Sequence, residues 1–259
     1  MNQKIWLIGG TGDSATIANL LRESAIPLVV TVTTTTAQGL YVDAATVFVG
    51  CMDATQMAYF CQHHQIKGVI DASHPYATEV SRQAIAVVTK LNIPYLRYER
   101  TLYQPPDVIQ QDSKILKLDS FEHLLAGDYL TAQRVLLTVG CKALPQFQPW
   151  HQRATLFARI LPKVKSLEMA ITSGFTGDRL IAIRPPISLA TETALWQQWD
   201  ISLVVTKASG QAGGEDTKRQ VAATLDIPLI IISRPPMTYP QQTFDLADVL
   251  PFCKLALSF

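Results

Sequence analysis

Cysteine is scarce and scattered in this chain: Cys51, Cys61, Cys141 and Cys253 are all that 259 residues contain. None stands at a metal-ligand or redox-pair spacing, so a structural metal site and a catalytic dithiol are excluded. The pattern fits reduced thiols and sets the cytoplasm as the expected compartment. Long apolar runs are missing too. The run Ile5–Ile8 is cut at once by Gly9-Gly10-Thr11-Gly12-Asp13, so neither a secretory signal nor a membrane span is expected. Net charge is +1, with no periodic basic–aromatic pattern, which excludes a general affinity for nucleic acid or for membrane surfaces. An anionic ligand must then be met by a local cluster of cations. Tyr-x-x-x-Lys is also absent, which removes the usual signature of a dehydrogenase for small carbonyl substrates.

What is present is an alternation of strand-like and helix-like segments through nearly the whole chain, the mark of parallel α/β architecture. Strands are expected at Ile5–Ile8, Leu28–Thr33, Thr46–Val49, Gly68–Asp71, Tyr95–Tyr98 and Lys114–Asp119. More follow at Arg134–Gly140, Thr155–Leu161, Leu180–Ile183, Ile201–Thr206 and Leu229–Ser233. Helices lie between them, among them Ser14–Glu23, one capped by Asp53, one begun by Pro75 and ending near Leu91, Phe121–Ala126, and one near Glu215. Thr101–Ser113 reads as a polar surface connection. The expected architecture is two Rossmann-like domains, residues 1–130 and 131–259, with mainly parallel sheets flanked by helices and a ligand cleft between them. Their boundary is placed near Gly127–Gln133. Leu-Asn-Ile-Pro (91–94) and Leu-Asp-Ile-Pro (225–228) share a helix-to-strand punctuation.

Three strand ends carry candidate chemistry. Gly10-Thr11-Gly12-Asp13-Ser14-Ala15 matches the glycine fingerprint of dinucleotide-binding folds and sits between a strand and a helix. Backbone N–H groups at the helix start would meet the cofactor phosphates, with Asp13 as the helix cap. About twenty residues on, where an acid would hold the ribose of NADH, Val30–Thr36 offers threonines and no acid, so NADPH is preferred to NADH.

The second end is Asp71-Ala-Ser-His-Pro-Tyr76. His74 can donate a proton, orient a ligand carboxylate or cap the sheet edge; histidine's unperturbed pKa near ~6.5 suits it to proton traffic. Asp71 can cap the following helix, and Tyr76 can pack or touch ligand. The third end is Thr206-Lys-Ala-Ser-Gly-Gln-Ala-Gly-Gly214, a glycine-rich loop to which Lys207 adds a charge. Thr138-Val-Gly140-Cys-Lys142 is a weaker loop of the same kind. Arg97, Arg100, Arg159, Lys163, Arg184, Lys207 and Arg234 gather near strand ends and together can line a cleft for a polyanion.

These segments, with Tyr95-Leu-Arg-Tyr-Glu-Arg100, Val205-Thr-Lys-Ala-Ser-Gly210 and a closing Arg234-Pro-Pro236, occur in the order found in precorrin-6A reductases. The chain resembles that family over nearly its whole length, most specifically at Asp71–Ala77. Ala208 and Arg184-Pro-Pro-Ile-Ser188 depart from the family pattern. The resemblance implies an NAD(P)H-dependent oxidoreductase of cobalamin biosynthesis, of the type acting on CH–CH bonds, that reduces one double bond of the corrin macrocycle in precorrin-6A or its cobalt form. It implies cofactor contacts at Gly9, Gly10, Thr11, Gly12, Asp13, Thr33, Thr34 and Asp71. His74 and Tyr76 would border the reacting centre. Ser73, Arg97, Lys207, Ser209 and Gly210 would meet the tetrapyrrole, and the expected state is a monomer or homodimer without metal. The rival expectations are a reductase of a smaller substrate and a non-catalytic NADPH-binding redox sensor.

Overall fold

The computed structural model describes residues 3–41, 46–101 and 114–258. They divide into two compact units, one reaching Thr101 and resuming at Pro236, the other ending at Pro235. The first unit runs β1 (Lys4–Ile8), α1 (Gly12–Glu23), β2 (Leu28–Val32), α2 (Thr35–Gln38), β3 (Thr46–Val49), α3 (Ala54–His63), β4 (Ile66–Asp71), α4 (Thr78–Lys90) and β5 (Tyr95–Tyr98). The second runs β6 (Ile115–Leu118), α5 (Phe121–Ala126), β7 (Arg134–Thr138), a 3-10 segment (Cys141–Gln152), β8 (Thr155–Ile160), α6 (Val164–Thr172), β9 (Leu180–Ala182), α7 (Leu189–Gln198), β10 (Leu203–Lys207), α8 (Glu215–Leu225) and β11 (Leu229–Ile232). The chain then returns to the first unit with β12 (Gln242–Thr243) and α9 (Val249–Leu257).

The expected boundary near Gly127–Gln133 is therefore corrected. β6 pairs with β11 (Ile115 opposite Leu229), which carries residues from 115 onward into the second sheet. Residues after 236 go back: Gln242 pairs with Arg97, and α9 buries Val249, Phe252 and Cys253 in the first core. The expected connection at 101–113 lies, after Thr101, outside the described residues.

Both sheets are parallel and repeat one order. The first reads β12-β5-β4-β1-β2-β3 and the second β6-β11-β10-β7-β8-β9. Each reverses direction beside its central strand, between β1 and β4 and between β7 and β10, the place where such sheets hold ligands at strand carboxyl ends. The period of two along β1 explains the double-sided core. Ile5 and Leu7 pack with Ile17 and Leu21 of α1, whereas Trp6 and Ile8 pack with Met57 and Phe60 of α3.

Three helices enter the next strand through the same joint. Ala25-Ile-Pro27, Asn92-Ile-Pro94 and Asp226-Ile-Pro228 each place their first residue in the left-handed region, with φ of 54°, 53° and 58°. The isoleucine N–H then reaches back to Leu21, Val88 or Ala222 at 2.9–3.0 Å, closing the helix, and proline bars its continuation. The proline carbonyl accepts from Ile5, Val69 or Val204 on a neighbouring strand. The shared punctuation at 91–94 and 225–228 thus marks equivalent places, since β5 and β11 hold the same position in the two sheets.

Candidate functional site

At the end of β1 the chain makes the turn that the glycines predict. Gly10 has φ +107°, which a side chain rarely tolerates, and its N–H donates to Tyr41 Oη at 2.7 Å. Thr11, rather than Asp13, caps α1. Its N–H donates to Ser14 Oγ (3.0 Å) while Ser14 N–H donates back to Thr11 Oγ1 (3.1 Å). Asp13 is freed from capping because its carboxylate pairs with Arg100 at 2.5 Å. That ion pair also offsets a negative charge that would repel phosphate. The N–H groups of Gly12 and Asp13 make no hydrogen bond within the described residues, and a Cβ built on Gly12 meets nothing within 4 Å. Two donors on an open backbone at a twelve-residue helix N-terminus form a cradle for an anion.

Tyr41 was not legible as a site residue. It is buried, with its hydroxyl 2.6 Å from Ser14 Oγ, and a Cβ on Gly9 would stand 2.3 Å from it. Gly9 is glycine because the phenol supports the loop from below. Burial pushes the Tyr41 pKa up, which keeps the hydroxyl protonated. At the end of β2, Thr33 is exposed, and Thr34 caps α2 by accepting from Ala37 N–H at 3.2 Å.

The end of β4 differs from expectation. Asp71 is fully buried and accepts four hydrogen bonds: from Ser73 N–H (2.9 Å), Ser81 Oγ (2.5 Å), Tyr95 Oη (2.6 Å) and Arg97 Nη1 (2.9 Å). It caps no helix. α4 starts at Thr78 after Ala77, which offers no side-chain cap, and Pro75 lies in a turn closed by Ala77 N–H on His74 O at 2.7 Å. Arg97 is equally sealed; its Nη1 also donates to Ser73 Oγ (3.1 Å), and its guanidinium lies 5.3 Å from the Tyr239 ring. Burial lowers the Arg97 pKa, but Asp71, Tyr239 and Glu99 outweigh it and hold the pKa above its usual value. Burial and the adjacent Asp71 drive the Tyr95 pKa up, so the phenol stays a donor. The side chains of Asp71 and Arg97 therefore shape the strand end instead of reaching past it.

Above this network, Ser73 is buried, His74 is exposed and Tyr76 half-buried, with the two rings 5.8 Å apart. Tyr76 N–H donates to His74 Nδ1 at 3.3 Å, so the neutral imidazole carries its proton on Nε2. Thr11 Oγ1 donates to Ala72 O at 2.9 Å, tying the β4 turn to the glycine loop. Gly10, Thr11, Gly12, Asp13, Ser73, His74 and Tyr76 thus gather at the switch point of the first sheet.

In the second unit, Lys207 is half-buried with Nζ 5.5 Å from the centre of the Phe121 ring. Burial, with Lys142 nearby, brings its pKa down to about 8 against the pull of Cys141. Ser209 is buried, and its N–H donates to Lys207 O at 2.7 Å. Gly210 N–H is taken by Glu215 Oε2 at 3.1 Å, and Glu215 in turn pairs with Arg219 at 2.9 Å. The expected ring of seven cations is reduced, since Arg97, Arg100 and Arg159 pair with Asp71, Asp13 and Glu192. No helix among the described residues is long and apolar enough to cross a membrane.

The family described as "Precorrin-6x reductase CbiJ/CobK" matches residues 4–254. The chain belongs to the precorrin-6x reductase family. Like the rest of that family it is an oxidoreductase of cobalamin biosynthesis, acting on a ring double bond. The cobalt-precorrin-6A reductase of Synechocystis sp. is 43% identical over 255 residues, covering 96% of this chain and 95% of the relative. The cobalt-precorrin-6A reductase of Priestia megaterium is 30% identical over 242 residues, covering 91% and 92%. A solved structure, "CobK precorrin-6A reductase", superposes with a TM-score of 0.80 over 98% of this chain and 97% of its own, at 20% identity, and so shares the fold. The precorrin-6x reductase match thus runs through both units.

Proposed function

We propose that this reductase acts on precorrin-6A in its cobalt form, with NADPH as reductant and NADH as the lesser alternative. The observation that carries the cofactor reading is the pair of donors at Gly12 and Asp13 beside open space, in a loop ordered by Tyr41 and Ser14. Gly10, Thr11, Gly12 and Asp13 would hold the pyrophosphate through backbone N–H groups and the helix dipole. Thr33 and Thr34 would face the ribose, where the absence of an acid leaves room for a 2′-phosphate. Gly9, sealed by Tyr41, would serve the loop rather than the ligand. When bound, the nicotinamide supplies the hydride. The cobalt preference is supported by the name of the 43% identical relative.

The chain's own part is binding, orientation and proton supply. His74, protonated to the imidazolium at the exposed rim, would pass a proton to the ring carbon next to the one that gains hydride and be left as the neutral imidazole. Tyr76 would fix the imidazole through its backbone N–H and offer its ring to the macrocycle. Asp71 and Arg97 would act through the turn they hold, positioning Ser73 and His74 without touching ligand. Lys207 and Ser209 would meet the substrate from the second unit, and Gly210 would shape their loop. The test is anaerobic incubation of the protein with precorrin-6A and with its cobalt form, following NADPH and NADH oxidation separately. Faster NADPH oxidation with the cobalt form supports the reading. Silence in every combination sinks it.

A further inference from the structure

Three buried charged side chains of α8 converge on the loop that joins β10 to it. β10 ends at Lys207 and α8 starts at Glu215, so the loop is residues 208–214. Lys218 is buried, and its ammonium donates to Gly213 O at 2.8 Å and to Gly214 O at 2.9 Å. Gly214 has φ +68°, and with that bend two successive carbonyls reach one donor. Glu215 holds the other end of the loop: its Oε2 accepts from Gly210 N–H at 3.1 Å, while its Oε1 takes Arg219 Nη2 at 2.9 Å and Nε at 3.1 Å. Glu215 and Arg219 are buried as well. Gly210 O accepts in turn from the N–H groups of Gly213 (3.0 Å) and Glu215 (3.2 Å). Gly213 is also the backbone on which Ser209 rests, since a Cβ built there would stand 2.0 Å from Ser209 Oγ and 2.3 Å from its Cβ.

Lys218 is an unfavourable choice if packing alone is at stake. Burying an ammonium carries a desolvation penalty, and both of its acceptors are neutral carbonyls. An apolar side chain would be buried there more easily, as Val221 and Ala222 of the same helix are. We propose that Lys218 is a positioning residue for the tetrapyrrole. Through the Gly213 carbonyl it sets the backbone under Ser209, and so fixes the Ser209 side chain against the substrate. Glu215 and Arg219 brace the same loop at Gly210. This rests on the reading above that Ser209 meets the tetrapyrrole. Lys218 itself touches no substrate; it acts through the loop, which is held in its bound shape before the ligand arrives.

The experiment is a double-mutant cycle read in binding. Uroporphyrin, a polycarboxylated tetrapyrrole, is titrated by fluorescence into wild type, Lys218→Met, Ser209→Ala and the double variant, each first shown by its thermal melt to be folded. Lys218→Met should weaken uroporphyrin binding about tenfold, but only about twofold where Ser209 is already alanine. NADPH affinity, titrated in parallel, should not move in any of the four, because the cofactor cradle lies in the first unit. Gly213→Ala drives a methyl into Ser209 and should lose uroporphyrin binding by a similar factor; it decides the matter if Lys218→Met does not fold. Additive losses, or a folded Lys218→Met protein with wild-type uroporphyrin affinity, overturn the positioning role. Ser209→Ala binding as tightly as wild type takes the loop out of the substrate site, and the proposal with it. A wrong reductase reading shows separately, as wild-type protein that oxidises NADPH with neither precorrin-6A nor its cobalt form while the porphyrin titration still reports.

Discussion

The Asp71 carboxylate and the Arg97 guanidinium meet at 2.9 Å, with side-chain exposures of 0% and 1%. Adjacent strands bring them opposite each other, since Asp71 of β4 pairs in register with Arg97 of β5. Neither group has water to fall back on, so the pair stands or falls together. Arg97→Met should destabilise the protein by about 3–5 kcal/mol, because it strands a buried carboxylate. Asp71→Asn combined with Arg97→Met should lose clearly less than the sum of the single changes. Urea denaturation of the four proteins measures this. Additive losses would mean that the two charges do not depend on each other.

The same pair shows what a sequence can and cannot disclose. Asp71 at a strand end reads as a ligand residue, and Arg97 two positions into the next strand reads as one of the cations lining a cleft for an anionic substrate. Register alone turns them toward each other, and register between separated strands leaves no local mark. The strands themselves were legible because each is a short apolar run closed by turn residues, as at Ile5–Ile8 and Tyr95–Tyr98. The glycine loop was legible for the same local reason. Tyr41 was not, since its contact with Gly10 spans thirty-one residues. The return of β12 was hidden too: a two-residue strand has no period to read.

Gly12 and Gly9 should respond oppositely to a side chain. Gly12→Val projects into open space, so stability should stay within about 1 kcal/mol of wild type while the NADPH KM rises at least about tenfold. Gly9→Ala drives a methyl to 2.3 Å from Tyr41 Oη and should destabilise by about 1–3 kcal/mol. Tyr41→Phe should relieve part of that strain in the double variant. Thermal melts and cofactor titrations separate the two effects, and a Gly12→Val protein with wild-type cofactor affinity would remove the cradle.

His74→Asn keeps an acceptor that Tyr76 N–H can reach but carries no titratable proton. Turnover should fall about a hundredfold and its pH profile should flatten, with the tetrapyrrole KM little changed. An unchanged rate and profile would pass the proton to water.

Lys218 carries a pH signature of its own. It is 2% exposed, and burial, followed by the nearby Arg159, brings its pKa from 10.5 down to about 8. Below pH 8 both the folded and unfolded chains hold this proton, and the full penalty for burying the charge is present. Between pH 8 and 10.5 the unfolded chain keeps a proton that the folded chain has released, so the site's contribution to stability rises with pH. The rise amounts to roughly 3 kcal/mol over that window. Wild type should gain on Lys218→Met by this amount between the two ends, a difference in which other titrating groups cancel. Parallel stability curves would show that Lys218 keeps its ordinary pKa.

The repeated helix-to-strand joint offers a stabilising change. Ala25 is exposed and sits at φ 54°, where a non-glycine residue is disfavoured by about 1–2 kcal/mol. Glycine removes that strain but loosens the unfolded chain, so Ala25→Gly should stabilise by about 0.5–1 kcal/mol net. Asn92 and Asp226 occupy the same conformation with side chains that tolerate it, so glycine should gain less at either position. Asp226 should even lose, because its carboxylate pairs with Lys114 at 2.5 Å across the β6–β11 edge. Denaturation midpoints rank the three variants. An Ala25→Gly protein weaker than wild type would mean that the alanine's contribution through the unfolded state exceeds the left-handed strain at this joint.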